Sequence, residues 1–268
     1  MSKASEVYLT VVIPAYNEEL VIGQTLASIT DFLSRQIYTW EVIVVDDAST
    51  DGTVEKITQF TSQQPDNHVR LLSNKINRQK GASICRGIMD ARGKYVVFLD
   101  ADYAYPIDQV PNFLNELENG AHIVIGNRTD PNTIFWVKPI ALHYIYRRYL
   151  FGRVFNWLVR LLLVKRIRDT QCGMKAFQTD TAKTVLGKMR VMNFAFDVEF
   201  LYIAWVNGEN IVQIPVTYDY IDAPGTVQLF KHSVIMFKSL IQIKLNGWMG
   251  RYVSENKSQN SPKTGRKE

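Results

Sequence analysis

Glu41-Val42-Ile43-Val44-Val45-Asp46-Asp47-Ala48-Ser49-Thr50-Asp51-Gly52-Thr53 decides the fold. Its aliphatic run has no polar alternation, so it reads as a short strand buried on both faces. The acidic and small residues after it read as a loop, and Thr53 opens a helical pattern that runs to Ser62. Outward from this unit the same grammar repeats. Tyr8–Ile13 is a β-rich run stopped by Pro14 and followed by a helical pattern over Glu18–Ser34. Val69–Ser73 precedes a helix over Lys80–Ala91, Tyr95–Leu99 precedes one over Ile107–Glu118, and Ala121–Ile125 continues the series. Such alternation specifies an α/β fold: a mainly parallel sheet flanked by helices. Ligands of these sheets bind outside the carboxyl ends of the strands, and the polar clusters fall at those ends.

At 268 residues and 46% hydrophobic content the chain can bury one large core. A single domain is expected over 8–253, after an N-terminal extension 1–7 and before a polar, disordered tail 254–268. Cys85 and Cys172 have neither metal-ligand spacing nor the numbers for a disulfide framework, which points to a reducing cytoplasm. Met1–Glu6 is polar, so no signal peptide is expected. No stretch of about 18 uncharged apolar residues is present either, so no transmembrane helix is expected.

Three strand ends carry candidate chemistry: Pro14-Ala15-Tyr16-Asn17-Glu18-Glu19, Asp46 to Thr53, and Asp100-Ala101-Asp102. Asp51 and Thr53 are read equally well as helix N-caps. Asp100 and Asp102 are different, because two carboxylates one residue apart repel each other unless a cation lies between them. Hard oxygen ligands of this kind suit Mg2+ or Mn2+ shared with substrate phosphates.

Together these loops resemble the family 2 glycosyltransferases, whose fold is GT-A (Rossmann-like). The motifs that carry the resemblance are Val11 to Glu18, Val44 to Thr53 and Asp100-Ala101-Asp102. The resemblance implies that Pro14, Ala15, Tyr16, Glu18 and Asp47 line a nucleotide pocket. It also implies that Asp100, Ala101 and Asp102 meet the diphosphate, with Asp100 and Asp102 holding the metal. Lys80-Gly81-Ala82 looks like the family's third nucleotide-side turn, with the lysine near phosphate and the glycine allowing close backbone approach.

In the second half, Gly126-Asn127-Arg128, Arg168 to Lys175 and Phe196 to Tyr202 are similar to the polyprenyl (dolichyl)-phosphate sugar synthases. The Arg168-Asp169-Thr170-Gln171-Cys172-Gly173 run is nearest the glucosyl branch. The implied reaction is inverting transfer of a hexose from a nucleotide diphosphate sugar (UDP-glucose favoured, GDP-mannose the alternative) to a polyprenyl phosphate. Asp102, Arg128, Asp169 and Asp197 are the implied catalytic set. Arg128 and Arg153 are the candidates for the acceptor phosphate, since a planar guanidinium can bind two oxygens at once. Asp169 and Asp197 would face the sugar or orient the arginines, or else form buried ion pairs with Arg128 or Arg168. The chain departs from the family at Ala104, where a Gln is common. It departs again at Asp222 to Gln228, where a Lys-bearing run is common and Lys231 is the expected substitute.

Between Ile134 and Arg168 the chain has eight Lys or Arg and no acidic residue, set among aromatic and aliphatic residues. Basic charge within strongly apolar segments favours an anionic membrane surface over nucleic acid. Phased at 100° per residue, 134–168 fails as one rod. Broken near Gly152, it leaves Arg153, Asn156 and Arg160 as a narrow polar stripe. The last helix, about 230–250, places Lys231, Lys238, Ser239, Gln242 and Asn246 on one side and Phe230, Phe237, Leu240, Ile241 and Trp248 on the other. Amphipathic interface helices over about 134–165 and 230–250 are therefore expected to hold the protein peripherally at the cytoplasmic face of a membrane. A core contact or a homodimer interface is the other use of those faces. Two further readings stay open: a hydroxyl acceptor deprotonated by Asp197 or Glu199, and a non-catalytic nucleotide-sugar or lipid-binding scaffold.

Overall fold

The computed structural model describes residues 7–64, 68–137, 142–193, 195–220 and 229–253. A seven-stranded sheet forms its centre, in the order β3-β2-β1-β4-β7-β5-β8. β1 (Leu9–Ala15), β2 (Trp40–Asp46), β3 (Val69–Ser73) and β4 (Tyr95–Phe98) are the strands of the repeated units and are mutually parallel. β1 is buried at every position because both faces of the sheet are covered. Val12, Val45, Val96 and Phe98 enter one core, while Val11, Ile13, Val42, Val44 and Val97 enter the other. α1 (Ile22–Ser34), α2 (Thr53–Ser62), α3 (Lys80–Asp90) and α4 (Val110–Glu118) connect or follow them.

α1 starts four residues after Glu18, where the sequence placed its beginning. The backbone N–H groups of Glu18 and Glu19 are engaged outside the helix, donating to Thr53 Oγ1 and the Asp51 carboxylate. A second difference lies in strand order. β5 (Ile123–Gly126) does not pair with β4, because β7 (Lys175–Gln178) runs antiparallel between them. β8 (Ile211–Ile214) then pairs parallel with β5. Antiparallel β7 brings its first residue, not its last, to the carboxyl edge of the sheet, with Lys175 opposite Phe98.

The acid-free segment also folds otherwise than its phasing suggested. Ile134–Val137 is a strand, β6, paired in parallel with β9 (Thr217–Tyr220) in a separate ribbon. α5 (Leu142–Leu162) passes through Gly152 without a break, since a helix tolerates an interior glycine at a cost of about 1 kcal/mol. α6 (Thr179–Leu186), α7 (Phe196–Val206) and α8 (Leu229–Trp248) complete the chain, α8 packing on α5.

Among the described residues, four non-glycine residues have positive φ: Asn17, Ala48, Gln79 and Tyr103. Each lies beyond the carboxyl end of one of the four parallel strands β1 to β4. Backbone strain of this kind, about 1–3 kcal/mol per residue, gathers where geometry is over-determined.

Candidate active site

The loops after β1 and β2 are tied to each other. Asn17 N–H donates to Ser49 Oγ (3.0 Å), and Thr50 N–H donates back to Asn17 Oδ1 (2.8 Å). Gly52 N–H donates to the Glu19 carboxylate (3.0 Å). Asp51 takes the Thr53 N–H and hydroxyl, and these hydrogen bonds hold its carboxyl below the usual range against its desolvation. Asp51 and Thr53 thus brace the loop, while the N-cap position of α2 is Gly52 and carries no side-chain cap. Asp47 is buried, and its Oδ1 accepts from Asn74 Nδ2 (2.7 Å) and Arg78 N–H (2.9 Å), fixing the turn that leads into α3. Pro14 and Ala15 are buried at the end of β1, whereas Tyr16 is exposed beside them. Ala101 is buried too, and its carbonyl accepts from Thr25 Oγ1 (2.7 Å), so it spaces and anchors the two aspartates.

Asp100 and Asp102 emerge past β4 into a cluster of opposed charges. Lys80, the first residue of α3, places Nζ 2.5 Å from Asp100 Oδ1. That oxygen is buried, yet it receives no hydrogen bond of normal geometry. Burial disfavours charge on Lys80, but Asp100, Asp197 and Asp102 outweigh it and hold the ammonium's pKa above its ordinary value. Glu18 lies on the other side. Burial, with Asp102, Asp100 and Asp51 adding to it, pushes its carboxyl up to about 7. Glu18, Asp100 and Asp102 thus share one neighbouring lysine, so the carboxylates of the cluster outnumber its cation. Among the described residues no group of three or more His, Cys, Asp or Glu could hold a metal ion alone. Two aspartates fit Mg2+ or Mn2+, which keep water and phosphate oxygens as further ligands.

Gly81 was expected to admit a phosphate. A Cβ there would instead meet the Met192 carbonyl oxygen at 2.6 Å and Phe196 Cβ at 2.7 Å. The glycine lets α3 close on the segment that enters α7. That closure brings Asp197 toward Lys80, which it stabilises as a cation. Asp197 itself pairs with Lys175 (2.7 Å) rather than with either expected arginine. Its burial, only partly offset by Lys175 and Lys80, raises its carboxyl above the usual range.

Lys175 is the residue that sequence reasoning passed over. It is 1% exposed, donates to Asp197 and to the Cys172 carbonyl (2.6 Å), and sits over the Phe98 ring. No signal in the sequence marked it, because its burial follows from the place of β7 inside the sheet.

Arg128 follows β5 at the same edge. Its Nε and NH2 reach the two oxygens of Asp169 at 2.7 and 2.9 Å, and its own N–H donates to Oδ2 (3.1 Å). Burial works against both charges. The pairing prevails, holding the guanidinium pKa well above its ordinary value and the carboxyl below. Gly173 completes this wall: any Cβ there would collide with the Asp100 carboxylate. Thr170 Oγ1 donates to Asn156 Oδ1 of α5 (3.2 Å), so Arg153, one turn earlier on that helix and exposed, flanks the same loop. Glu199 is fully buried and takes hydrogen bonds from Arg190 N–H, Val191 N–H and Tyr252 OH. It braces the fold and is not positioned as a base.

The Glycosyl transferase family 2 model matches residues 10–184, which covers every loop above as far as Lys175. The chain belongs to that family. Dolichyl-phosphate beta-glucosyltransferase from Dictyostelium discoideum is 32% identical over 253 residues, spanning 91% of this chain and 76% of that protein. Its Homo sapiens counterpart is 33% identical over 255 residues, spanning 91% and 77%. Among solved structures, glucosyl-3-phosphoglycerate synthase from Mycobacterium tuberculosis, crystallised with Mg2+ and uridine diphosphate, superposes with a TM-score of 0.65. It is 19% identical and covers 88% of this chain and 79% of its own, so the two share the GT-A fold.

The family 2 chain is a glycosyltransferase, and one flank of it exposes apolar side chains. α8 buries Ser239 and Asn246, which bond to Asn193 and Tyr252. Phe237, Ile241, Leu245 and Trp248 (77% exposed) face solvent. The phasing set Leu240 with the aromatic side and Ser239 and Asn246 with Lys238 and Gln242; the structure instead buries Ser239, Leu240 and Asn246 together and exposes Lys238 and Gln242 with Phe237, Ile241 and Trp248. α5 exposes Val154, Trp157 and Leu161 beside Arg153 and Arg160. A groove of about 560 Å3 between α5, α7 and α8 is lined by Lys165, Arg166, Tyr202, Trp205 and Lys244. It lies at the far end of α7 from Asp197. The β6–β9 ribbon exposes Ile134, Phe135 and Trp136, and is tied to the aspartate loop by Asp219 N–H donating to the Ala104 carbonyl (2.9 Å). No helix among the described residues is long and apolar enough to cross a membrane. Residues 222–228 and the side chain of Lys231 lie outside the described residues.

Proposed function

We propose that this glycosyltransferase moves glucose, with inversion, from UDP-glucose to the phosphate of a polyprenol at a membrane surface, with Mg2+ or Mn2+ bound at Asp100 and Asp102. The observation that carries the reading is the absence of a dedicated base among the sequence candidates. Glu199 is buried under three donors, and Asp197 is held on Lys175. A hydroxyl acceptor needs a base. A phosphate monoester, with a second pKa of about 6, arrives already ionised.

The protein's task is then placement and charge. Arg128, gripped on two oxygens by Asp169, presents a guanidinium of fixed orientation to the acceptor phosphate, and Arg153 adds a second cation at the rim. Lys80 meets the diphosphate. The cation, when bound, would supply charge neutralisation for the departing nucleoside diphosphate. The exposed apolar stripes of α5 and α8, with their flanking lysines and arginines, would rest on an anionic leaflet, each basic residue near it adding about 1 kcal/mol. The named relatives at about a third identity, acting on dolichyl phosphate by their names, support the acceptor class.

The test is a panel of UDP- and GDP-sugars with a short polyprenyl phosphate, with and without Mg2+ or Mn2+, scored for glycolipid. Glucosylated polyprenyl phosphate from UDP-glucose is the expected product. Transfer to a free sugar hydroxyl but not to the phosphate, abolished in Asp197→Asn, would sink the reading in favour of a hydroxyl acceptor.

A further inference from the structure

The two ion pairs at the carboxyl edge differ in kind. Arg128 and Asp169 meet through two parallel bonds with a backbone N–H added, and Asp169 is buried. Lys80 meets Asp100 at one oxygen, and a third of its side chain is exposed. Its backbone is pinned: Gln79 has φ 72°, and the N–H of Arg78 is held by Asp47. Only the four-carbon stem can move, and such a stem is flexible. Its ammonium lies against an aspartate that a divalent cation would use. A cation in contact with Asp100 Oδ1 and an ammonium 2.5 Å from the same oxygen repel each other strongly at that range.

We propose that Lys80 is a placeholder that closes the Asp100–Asp102 pair to a bare divalent cation, and that the donor's diphosphate opens it by drawing the ammonium onto phosphate oxygens. Metal and nucleotide diphosphate then bind as coupled ligands, each raising the affinity of the other by the same factor. The inference rests on the reading of Asp100 and Asp102 as the metal's carboxylates. It makes Lys80 a positioning residue with two opposite effects, unfavourable to metal alone and favourable to diphosphate.

Mn2+ binding, followed by loss of the free-ion electron paramagnetic resonance signal, tests it on the full chain with and without UDP. Wild type is expected to bind Mn2+ at least about tenfold more tightly with UDP than alone. Lys80→Met is expected to tighten bare Mn2+ binding about tenfold or more and to weaken UDP at saturating Mn2+. Lys80→Arg, which keeps the charge, stays near wild type in bare Mn2+ affinity. Asp102→Asn placed on Lys80→Met removes the gained affinity and so locates the ion. Thermal melting within a few degrees of wild type confirms that each variant is folded. If folded Lys80→Met binds bare Mn2+ no more tightly while Mn2+ and UDP still bind together, the placeholder is overturned and the metal reading stands. If no Mn2+ binds to wild type with UDP or to Lys80→Met, the metal reading falls and takes the placeholder with it.

Discussion

At the carboxyl edge of the sheet the polar side chains are engaged with one another, whereas the α5–α8 face leaves its largest side chains in solvent. Asn17, Asp47, Asp51, Asp169, Lys175 and Asp197 are all held by named partners. Phe237, Ile241, Leu245 and Trp248 are each 45% or more exposed. The contrast follows from what each surface must recognise. Charge placed for a transition state loses value when it shifts by an ångström, so the edge is cross-braced and strained. Contact with an apolar phase is non-directional, and needs only area and a fringe of positive charge.

Asp102→Asn should break the edge most severely. Turnover is expected to fall about 100- to 1000-fold, the scale for losing one electrostatic group at a reacting centre, while vesicle sedimentation stays at the wild-type level. Asp169→Asn comes next. It leaves Arg128 ungripped and a buried pair broken, at a cost of about 3 kcal/mol, to be read as a lowered denaturant midpoint together with slower turnover. Retained stability would show that the clamp is less coupled to the fold than its geometry indicates.

The opposite face should respond in the opposite sense. Ile241→Gln combined with Trp248→Gln is expected to weaken binding to anionic vesicles about tenfold, since each buried apolar side chain contributes about 1.5–3 kcal/mol before insertion is counted as partial. Turnover on a short acceptor in detergent should be unchanged. Loss of both would mean that the two surfaces are not separable.

The smallest effect belongs to Glu18. Its folded-state pKa of about 7 lies above the ordinary 4.5, so its contribution to stability is fully present below that value and lost as pH rises through 7. Metal-free wild type should therefore melt at progressively lower temperature as pH rises from about 4.5 to about 7 and level off above that, and Glu18→Gln should flatten the decline. An equal decline in the variant would assign the dependence to other groups.

The legible parts of the chain were those in which local pattern and tertiary role agree. β1, β2 and β4 are largely aliphatic runs, and each ends in a loop whose acids could be read directly. The central place of β7 was not legible, because four residues beginning with a lysine carry no strand signature. The Lys175–Asp197 pair joins residues 22 positions apart and depends on that placement. β6 was absorbed into a helix expectation because Ile134-Phe135-Trp136-Val137 lies inside a long acid-free segment. In α8, periodicity split polar from apolar residues, but the buried face takes Ser239 and Asn246 from one set and Leu240 from the other. Asn193 donates to Ser239 and Asn246 donates to the Tyr252 hydroxyl, so both polar side chains are satisfied inside.

Antiparallel β7 has a further consequence. Gly126 N–H donates to the Met174 carbonyl, so the chain leaves the sheet at β5 and returns beside the point of departure. The segment between them leaves and re-enters the sheet at the active edge, with β6 paired to β9 and α5 packed on α8 outside it. Nucleotide-side loops lie before it in sequence. In engineering terms it is a cassette with a long outer seam: on the proposed reading, the segment that meets the acceptor could be exchanged between relatives only together with β9 and α8, and with Gly173 kept against Asp100.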